Sequence, residues 1–354
     1  MTKQPRHNSL NDTHSLKWKD ALLRTSLPLE YLVGKNLVRS NLMVWGEYSF
    51  NRRNEERFDT EFSVDLRASD ILSRKGSYWG DLNFLVECKY SYRNVKWIFS
   101  PHPDISNFTS DPVSPLQELT TKRIPHSAPV FRCTDQLPVC AKGIEIHTSD
   151  VNPQAITRGL HQLRFAAGRL ASELVEEQIS ALNEDDLLVG LVCPILVTTA
   201  SLFVLKERTN LKRIENSSRL DQFANSTDAL VVAAQHAGPQ IRSYTTELIT
   251  ELHARFPDIR RRLEQLHTAY RMSTMAKGAG WTDTIKDLDH SIQSATNSVL
   301  VVTFEAFDRT VAMIRKAATD SSRQLVTFAN LISDKYGRGI WVEPVVTKRS
   351  QPKR

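Results

Sequence analysis

Only four cysteines (Cys88, Cys133, Cys140, Cys193) occur among 354 residues. They are too few and too scattered for a disulfide scaffold, which agrees with a reducing compartment. No run of 18 or more apolar residues exists, and the polar N-terminus MTKQPRHNSLNDTHSLKWKD lacks the apolar stretch that a secretory signal needs. The expectation is a cytoplasmic protein with no membrane partner. Repeats and low-complexity tracts do not stand out. HExxH, GxSxG and dinucleotide fingerprints are missing, and Gly34-Lys35 lacks the upstream glycine of a phosphate loop and falls within a helical pattern. Neither ATP nor NAD use is indicated. With 40% hydrophobic and 24% charged residues, the chain has the composition of a folded protein of one large or two ordinary domains.

A formal net charge of +6 suggests a polyanionic partner, but its distribution matters. Residues 1–27 carry five Lys/Arg against two Asp, and TKRSQPKR (347–354) carries four Lys/Arg and no acid. The ends together hold +7, so the body is close to −1. A nucleic-acid surface must then be a local patch or a tail.

Residues 1–26 are polar and aperiodic and read as a loose arm. Pro28 opens a helical pattern in which Leu29, Leu32, Val33 and Leu37 predict an amphipathic helix over about 27–40, with Glu30 beside the buried stripe. MVWGEYSF (43–50), EFSVDLRA (61–68) and NFLVECKY (83–90) read as three strands, and VKWIFSP (95–101) as a further short one. In the second, Phe62, Val64 and Leu66 alternate with Ser63, Asp65 and Arg67. In the third, Phe84, Val86 and Cys88 alternate with Leu85, Glu87 and Lys89. Residues 101–150 hold seven prolines and little periodicity, the pattern of an irregular insertion. Asn152-Pro153 begins a helix with Ile156, Leu160, Leu163, Ala167, Leu170 and Leu174 on one side. LLVGLVCPILVTTASLFVL (187–205) allows two buried strands, or one bent at Pro194.

From 207 onward the pattern is mainly helical, near 226–255, 258–272 and 308–335. The late apolar runs SVLVVTFEAF (298–307) and GIWVEPVV (339–346) suit either the main sheet or a second unit. The expected organisation is an arm (1–26), an α/β core (27–206) interrupted at 101–150, and a mainly helical region with late strands and a basic tail (207–354).

The chemistry concentrates between Glu61 and Tyr90. If the second and third strands form a hairpin centred on Gly76, residues whose numbers sum to 152 lie opposite each other, and Asp65 faces Glu87. Lys89 shares the face of Glu87. Opposed residues have Cβ atoms roughly 4.5–5.5 Å apart, close enough for both carboxylates to ligate one divalent cation. Hard carboxylate oxygens suit Mg²⁺ and leave positions for water and phosphate oxygens. Such an ion polarises phosphorus and activates water, and a neighbouring lysine orients or deprotonates that water or balances charge. Asp81 lies six residues before Glu87, roughly 20 Å along a strand at ~3.3 Å per residue, too far to share the ion.

This order of elements resembles the PD-(D/E)xK, restriction-endonuclease-like nuclease superfamily: a helix with Glu30, the strand VWGEYSF, the strand VDLRA with Asp65, and the strand LVECK with Glu87 and Lys89. The likeness covers about residues 28–100, and 152–205 more loosely. It implies a mixed central sheet flanked by helices and Mg²⁺-dependent cleavage of DNA, with Mn²⁺ an alternative ion, RNA an alternative substrate, and a restriction or defence role. By position it implies Asp65 and Glu87 as metal ligands, Lys89 as the catalytic lysine, Glu30 as the helix acid that some members use, and Gln162 as a glutamine found near the site in some branches. Val64 stands where the motif's proline would be. A catalytically inactive nucleic-acid-binding scaffold on the same fold is the competing reading.

Glu47 in the first strand is a further acid for the same site, or a surface residue. His126, Cys133, Cys140 and His147 recur at intervals of seven, without the paired spacing of two to four that zinc ligands show, so the set reads as coincidence. The stripes in LVVAAQHA and TVAMIRKAA suit core packing or a partner helix, a homo-oligomer included. Arg260, Arg261 and Arg262 point in successive directions around a helix and suit a solvated face or a phosphate-contacting ridge.

Overall fold

A computed structural model describes residues 17–19, 21–23, 25–53, 59–75, 78–92, 94–103, 113–120, 137–147, 150–152, 154–181, 187–234, 238–258 and 289–336. Among the described residues twelve strands form one mixed sheet: β1 (Met43–Arg53), β2 (Asp59–Lys75), β3 (Tyr78–Lys89), β4 (Lys96–Pro101), β5 (Gln117–Thr120), β6 (Val139–His147), β7 (Asp150–Asn152), β8 (Leu187–Thr198), β9 (Ser201–Leu205), β10 (Ala224–Thr227), β11 (Ala229–Ala233) and β12 (Ser298–Thr303). Their order across the sheet is β1-β2-β3-β8-β12-β11-β6-β4-β9-β10, with β5 on β8 and β7 on β6. The β1/β2 and β2/β3 pairs are antiparallel, whereas β3/β8 and β8/β12 are parallel. The class is α/β with a large mixed sheet flanked by helices.

Helix α1 (Leu27–Arg39) follows from Pro28 in its first turn and from Leu29, Val33 and Leu37, which recur every four residues and are buried. Helix α2 (Gln154–Ala181) buries Ile156, Leu160, Leu163, Ala167, Leu170 and Leu174, the stripe expected from sequence. A short α3 (Leu211–Glu215) precedes α4 (Pro239–Arg255) and α5 (Phe307–Tyr336). On one face of the sheet, α2 and α4 pack over Leu85, Val192, Leu196, Val299 and Val301. On the other, Leu29, Val33 and Leu37 of α1 and Val311 and Ile314 of α5 pack over Phe84, Val86, Ile195, Val197 and Leu300. With both faces covered, the central strands are continuously apolar, each buried Val or Leu contributing about 1.5–3 kcal/mol.

Three expectations are corrected. The boundary at 206/207 does not divide the fold, because β12 lies between β8 and β11 in the middle of the sheet. Residues 229–233 form a strand and not the start of a helix: ALVVA is buried at every position, and the helix begins only at Pro239. The stretch 101–150 is not merely irregular, since the proline-free segments QELT and VCAKGIEIH become β5 and β6, and β6 sits between β11 and β4. Pro194 does not end a strand. It lies within β8, between the residues that pair with β5 (Val189–Val192) and those that pair with β12 (Ile195–Thr198). Its missing N–H falls where the partner on that edge changes. GIWVEPVV, residues 259–272 of the helix expected over 258–272 with its arginines, and His126 and Cys133 lie outside the described residues. No described helix is long and apolar enough to cross a membrane.

Candidate active site at the end of β3

Every β2/β3 pair from Leu66↔Val86 to Ile71↔Asp81 sums to 152, the expected register, and a shift intervenes only beyond Ile71. The ladder stops at Leu66. On the other side of β2, Gly46 pairs with Arg67 and Tyr48 with Val64, so Asp65 and Leu66 together oppose the single residue Glu47. This is a β-bulge, and Gly46 serves it with φ +83°, a left-handed conformation that glycine adopts without strain. The faces exchange across it: Val64 packs beneath α2, whereas Leu66 and Ala68 pack toward α1 and α5. Val64 and Leu66 therefore do not share one apolar face, contrary to simple alternation. The bulge turns the Asp65 carboxylate into the gap where the ladder ends, and its Oδ2 accepts the Cys88 N–H at 2.6 Å.

Glu87 and Lys89 project from β3 toward α2. Glu87 is 2% exposed. Lys89 Nζ donates to Glu87 Oε1 at 2.5 Å and to Gln162 Oε1 at 3.3 Å. Gln162 in turn donates through Nε2 to the Ser63 carbonyl at 3.5 Å, joining α2, β2 and β3 around the lysine. Glu87 Oε2 is buried without a hydrogen-bond partner among the described residues. Helix α2 passes closely overhead at Gly159, where a Cβ would stand 2.8 Å from Leu196 Cδ1 and 3.4 Å from Lys89 Cε. The N-terminus of α1 is drawn to the same place, because Ser26 Oγ accepts the Tyr90 N–H at 3.2 Å. Glu30 is in the first turn of that helix.

Burial pushes the Glu87 carboxyl up to about 7, with the Asp65 charge acting in the same direction and Lys89, then the nearby Asp65 backbone N–H, against it. Asp65 is also raised, by burial first, while the Cys88 N–H and Lys89 oppose the shift and Glu47 adds to it. Glu30 is raised by burial and then by Asp65. Four acids, Glu30, Glu47, Asp65 and Glu87, thus share one electrostatic neighbourhood with Lys89. Glu47 is exposed on β1, yet its charge reaches both Glu30 and Asp65. Asp81 pairs with Ile71, well back along the ladder.

This excess of negative charge and the unpartnered Glu87 oxygen fit a divalent cation. The described residues include no group of three or more His, Cys, Asp or Glu arranged to hold a metal. Mg²⁺ does not need one, since one or two carboxylates hold it while water and phosphate oxygens complete its shell. Cys140 and His147 do not suit zinc: both lie on β6, seven residues and roughly 23 Å apart at ~3.3 Å each, and the Cys140 thiol is buried and pushed up to about 12.

Sequence reasoning missed the bulge, the Ser26 contact and the Gly159 approach. An isolated glycine inside the helical stripe of α2 was the one visible sign of the last. Comparisons of the chain with protein-family models, with curated proteins and with solved structures find no match in any of the three.

Proposed function

We propose that the protein is a metal-dependent nuclease that hydrolyses phosphodiester bonds in DNA, with a PD-(D/E)xK-type site and a restriction-endonuclease-like core, acting as an endonuclease of the restriction or defence kind. One observation carries the reading. Glu87 is buried, engages Lys89 through one oxygen and leaves the other without a partner, beside the Asp65 carboxylate at the mouth of a ladder that has just opened. A structural ion pair would need both oxygens satisfied to offset its desolvation.

In this reading Asp65 and the free oxygen of Glu87 would hold Mg²⁺ or Mn²⁺, which when bound supplies Lewis-acid polarisation of the phosphate and neutralises charge at the leaving oxygen. The chain's own groups do the rest. Lys89 holds positive charge at Nζ next to the reacting phosphate and orients the attacking water through its protons. Gln162 fixes the ammonium in place from α2. Glu30 and Glu47 add negative potential that favours a cation at Asp65. The basic ends of the sequence suit DNA as the polyanion.

The test is to incubate supercoiled plasmid, linear duplex and single-stranded DNA and RNA with the protein in Mg²⁺, Mn²⁺ or EDTA, beside Asp65→Ala and Lys89→Ala. Metal-dependent cleavage of DNA lost in both variants is expected. Folded protein that cleaves no substrate, or cleavage that survives either variant, refutes it.

A further inference from the structure

Next to Gln162, α2 presents His161, and one turn on Arg164 and Phe165, toward the end of the β1/β2 pair. Arg164 is 9% exposed, and its Nε is buried without a partner. No described acid forms an ion pair with it. Arg52 of β1 lies between two rings, its Cζ 4.5 Å from the centroid of Phe62 and 4.1 Å from that of Phe165, and its Nε is also buried and unpartnered. Stacking on phenyl rings holds a guanidinium flat without neutralising it. Burial, then the charges of Arg164 and Arg52, keep the His161 imidazole below its ordinary pKa, as expected of a ring crowded by two guanidinium groups. Among the described acids along the same elements, Asp59 pairs with Arg53 and Glu173 with Arg169 and the Tyr48 hydroxyl, and Glu61, beside Phe62, is exposed and makes no ion pair with either arginine.

A buried, unpaired guanidinium is costly, and a half-buried second one beside it adds to the cost. Proteins keep such arrangements where an anion completes them, and planar guanidinium forks match phosphate oxygens well. The cluster flanks the candidate active site, because Gln162 bonds both Lys89 Nζ and the carbonyl of Ser63, the neighbour of Phe62. From Phe62 to Asp65 is three strand residues, about 10 Å, close enough for one DNA strand to reach both places.

We propose that Arg52, His161 and Arg164 form a phosphate-binding subsite that holds a backbone phosphate of the DNA strand a few nucleotides from the bond at Glu87 and Lys89. The choice of DNA as the bearer of that phosphate rests on the nuclease reading; the affinity for phosphate does not. Full-length protein, Arg164→Met and Arg52→Gln are melted in EDTA with increasing pyrophosphate, against sodium chloride of equal ionic strength. Binding of a labelled DNA oligonucleotide is measured in EDTA across a salt series.

Pyrophosphate should raise the melting temperature of the unsubstituted protein and leave both variants nearly unmoved. Without pyrophosphate, Arg164→Met should melt no lower than the parent, since it removes an unpaired buried charge, whereas an arginine with a structural partner would destabilise on removal. Each variant should reduce the slope of log affinity against log salt by about 0.7–0.9, the value of one phosphate contact. Equal pyrophosphate responses in all three proteins, no response in the parent, or a marked loss of stability in Arg164→Met overturns the subsite. If cleavage requires Asp65 and Lys89 while both arginine variants bind DNA as the parent does, the subsite falls alone. An arginine-dependent pyrophosphate response in a protein that cleaves nothing leaves the subsite standing and removes the nuclease.

Discussion

Replacing Glu87 by Gln should make the metal-free protein more stable above neutral pH and abolish its chemistry. Burial and the Asp65 charge hold the Glu87 carboxyl at about 7, against an ordinary value of 4.5. Between those two pH values the folded protein keeps a proton that the unfolded chain has released, so stability falls as pH rises through the window. At about 1.4 kcal/mol per tenfold change in proton affinity, ionised Glu87 lowers stability by about 3 kcal/mol at pH 8 and by less than about 0.5 kcal/mol at pH 4.5. Glutamine has the shape of the protonated acid and keeps an acceptor for Lys89, so the variant avoids that cost. Thermal melting followed by circular dichroism in EDTA should show Glu87→Gln about 4–6 °C above the parent at pH 8, at roughly 2 °C per kcal/mol for a chain this long, and level with it at pH 4.5. A variant less stable than the parent at pH 8, or a difference independent of pH, would refute the claim that Glu87 is a strained, half-partnered acid. It would make the contact with Lys89 an ordinary structural ion pair.

Three further outcomes follow from the same geometry. Mg²⁺ should raise the melting temperature of the parent at pH 8, by an amount growing with the logarithm of its concentration once binding saturates, and should leave Asp65→Asn unmoved; a calorimetric titration checks both. Lys89→Met should cut cleavage by about 10²–10⁴-fold with DNA affinity in EDTA little changed, so a loss confined to affinity would contradict a role in the chemical step. Gly159→Val would drive a side chain into Leu196 and the Lys89 methylenes. It should cost about 1–3 kcal/mol in a urea melt and reduce cleavage further than that loss of stability explains.

Much of the fold was legible because the relevant signals are local. The four-residue recurrence of Leu29, Val33 and Leu37 gave α1, and the stripe from Ile156 to Leu174 gave α2. The register of β2 against β3 from Leu66↔Val86 to Ile71↔Asp81 was accessible because a hairpin has one free parameter, its centre, and the turn-like RKGSYWG supplied it; the end of the ladder before Asp65 was not. The destination of β11 and β12 was not legible. A strand buried on both faces carries no alternation, so ALVVA resembles a helical segment, and nothing local says which strands flank it. The arginine cluster was invisible for a similar reason, since Arg52, Phe62 and Phe165 meet only after the sheet and α2 have packed.

The bulge is the clearest case of a functional feature that alternation hides. Read with a strict period of two, Asp65 shares a face with Ser63 and Arg67 and opposes Glu87 across an intact ladder, where its carboxylate would compete with strand pairing. Two residues of β2 opposite Glu47 break the ladder instead and free an amide at Cys88 for the carboxylate to accept. The break falls where β3 reaches the C-terminal end of its pairing with β8, so a buried strand can present Glu87 and Lys89 without the strand on its β2 side covering them. Charge inside a twelve-stranded sheet is tolerable only at such an opening, where α1 brings Glu30, α2 brings Gln162, and a cation or a phosphate can reach the carboxylates.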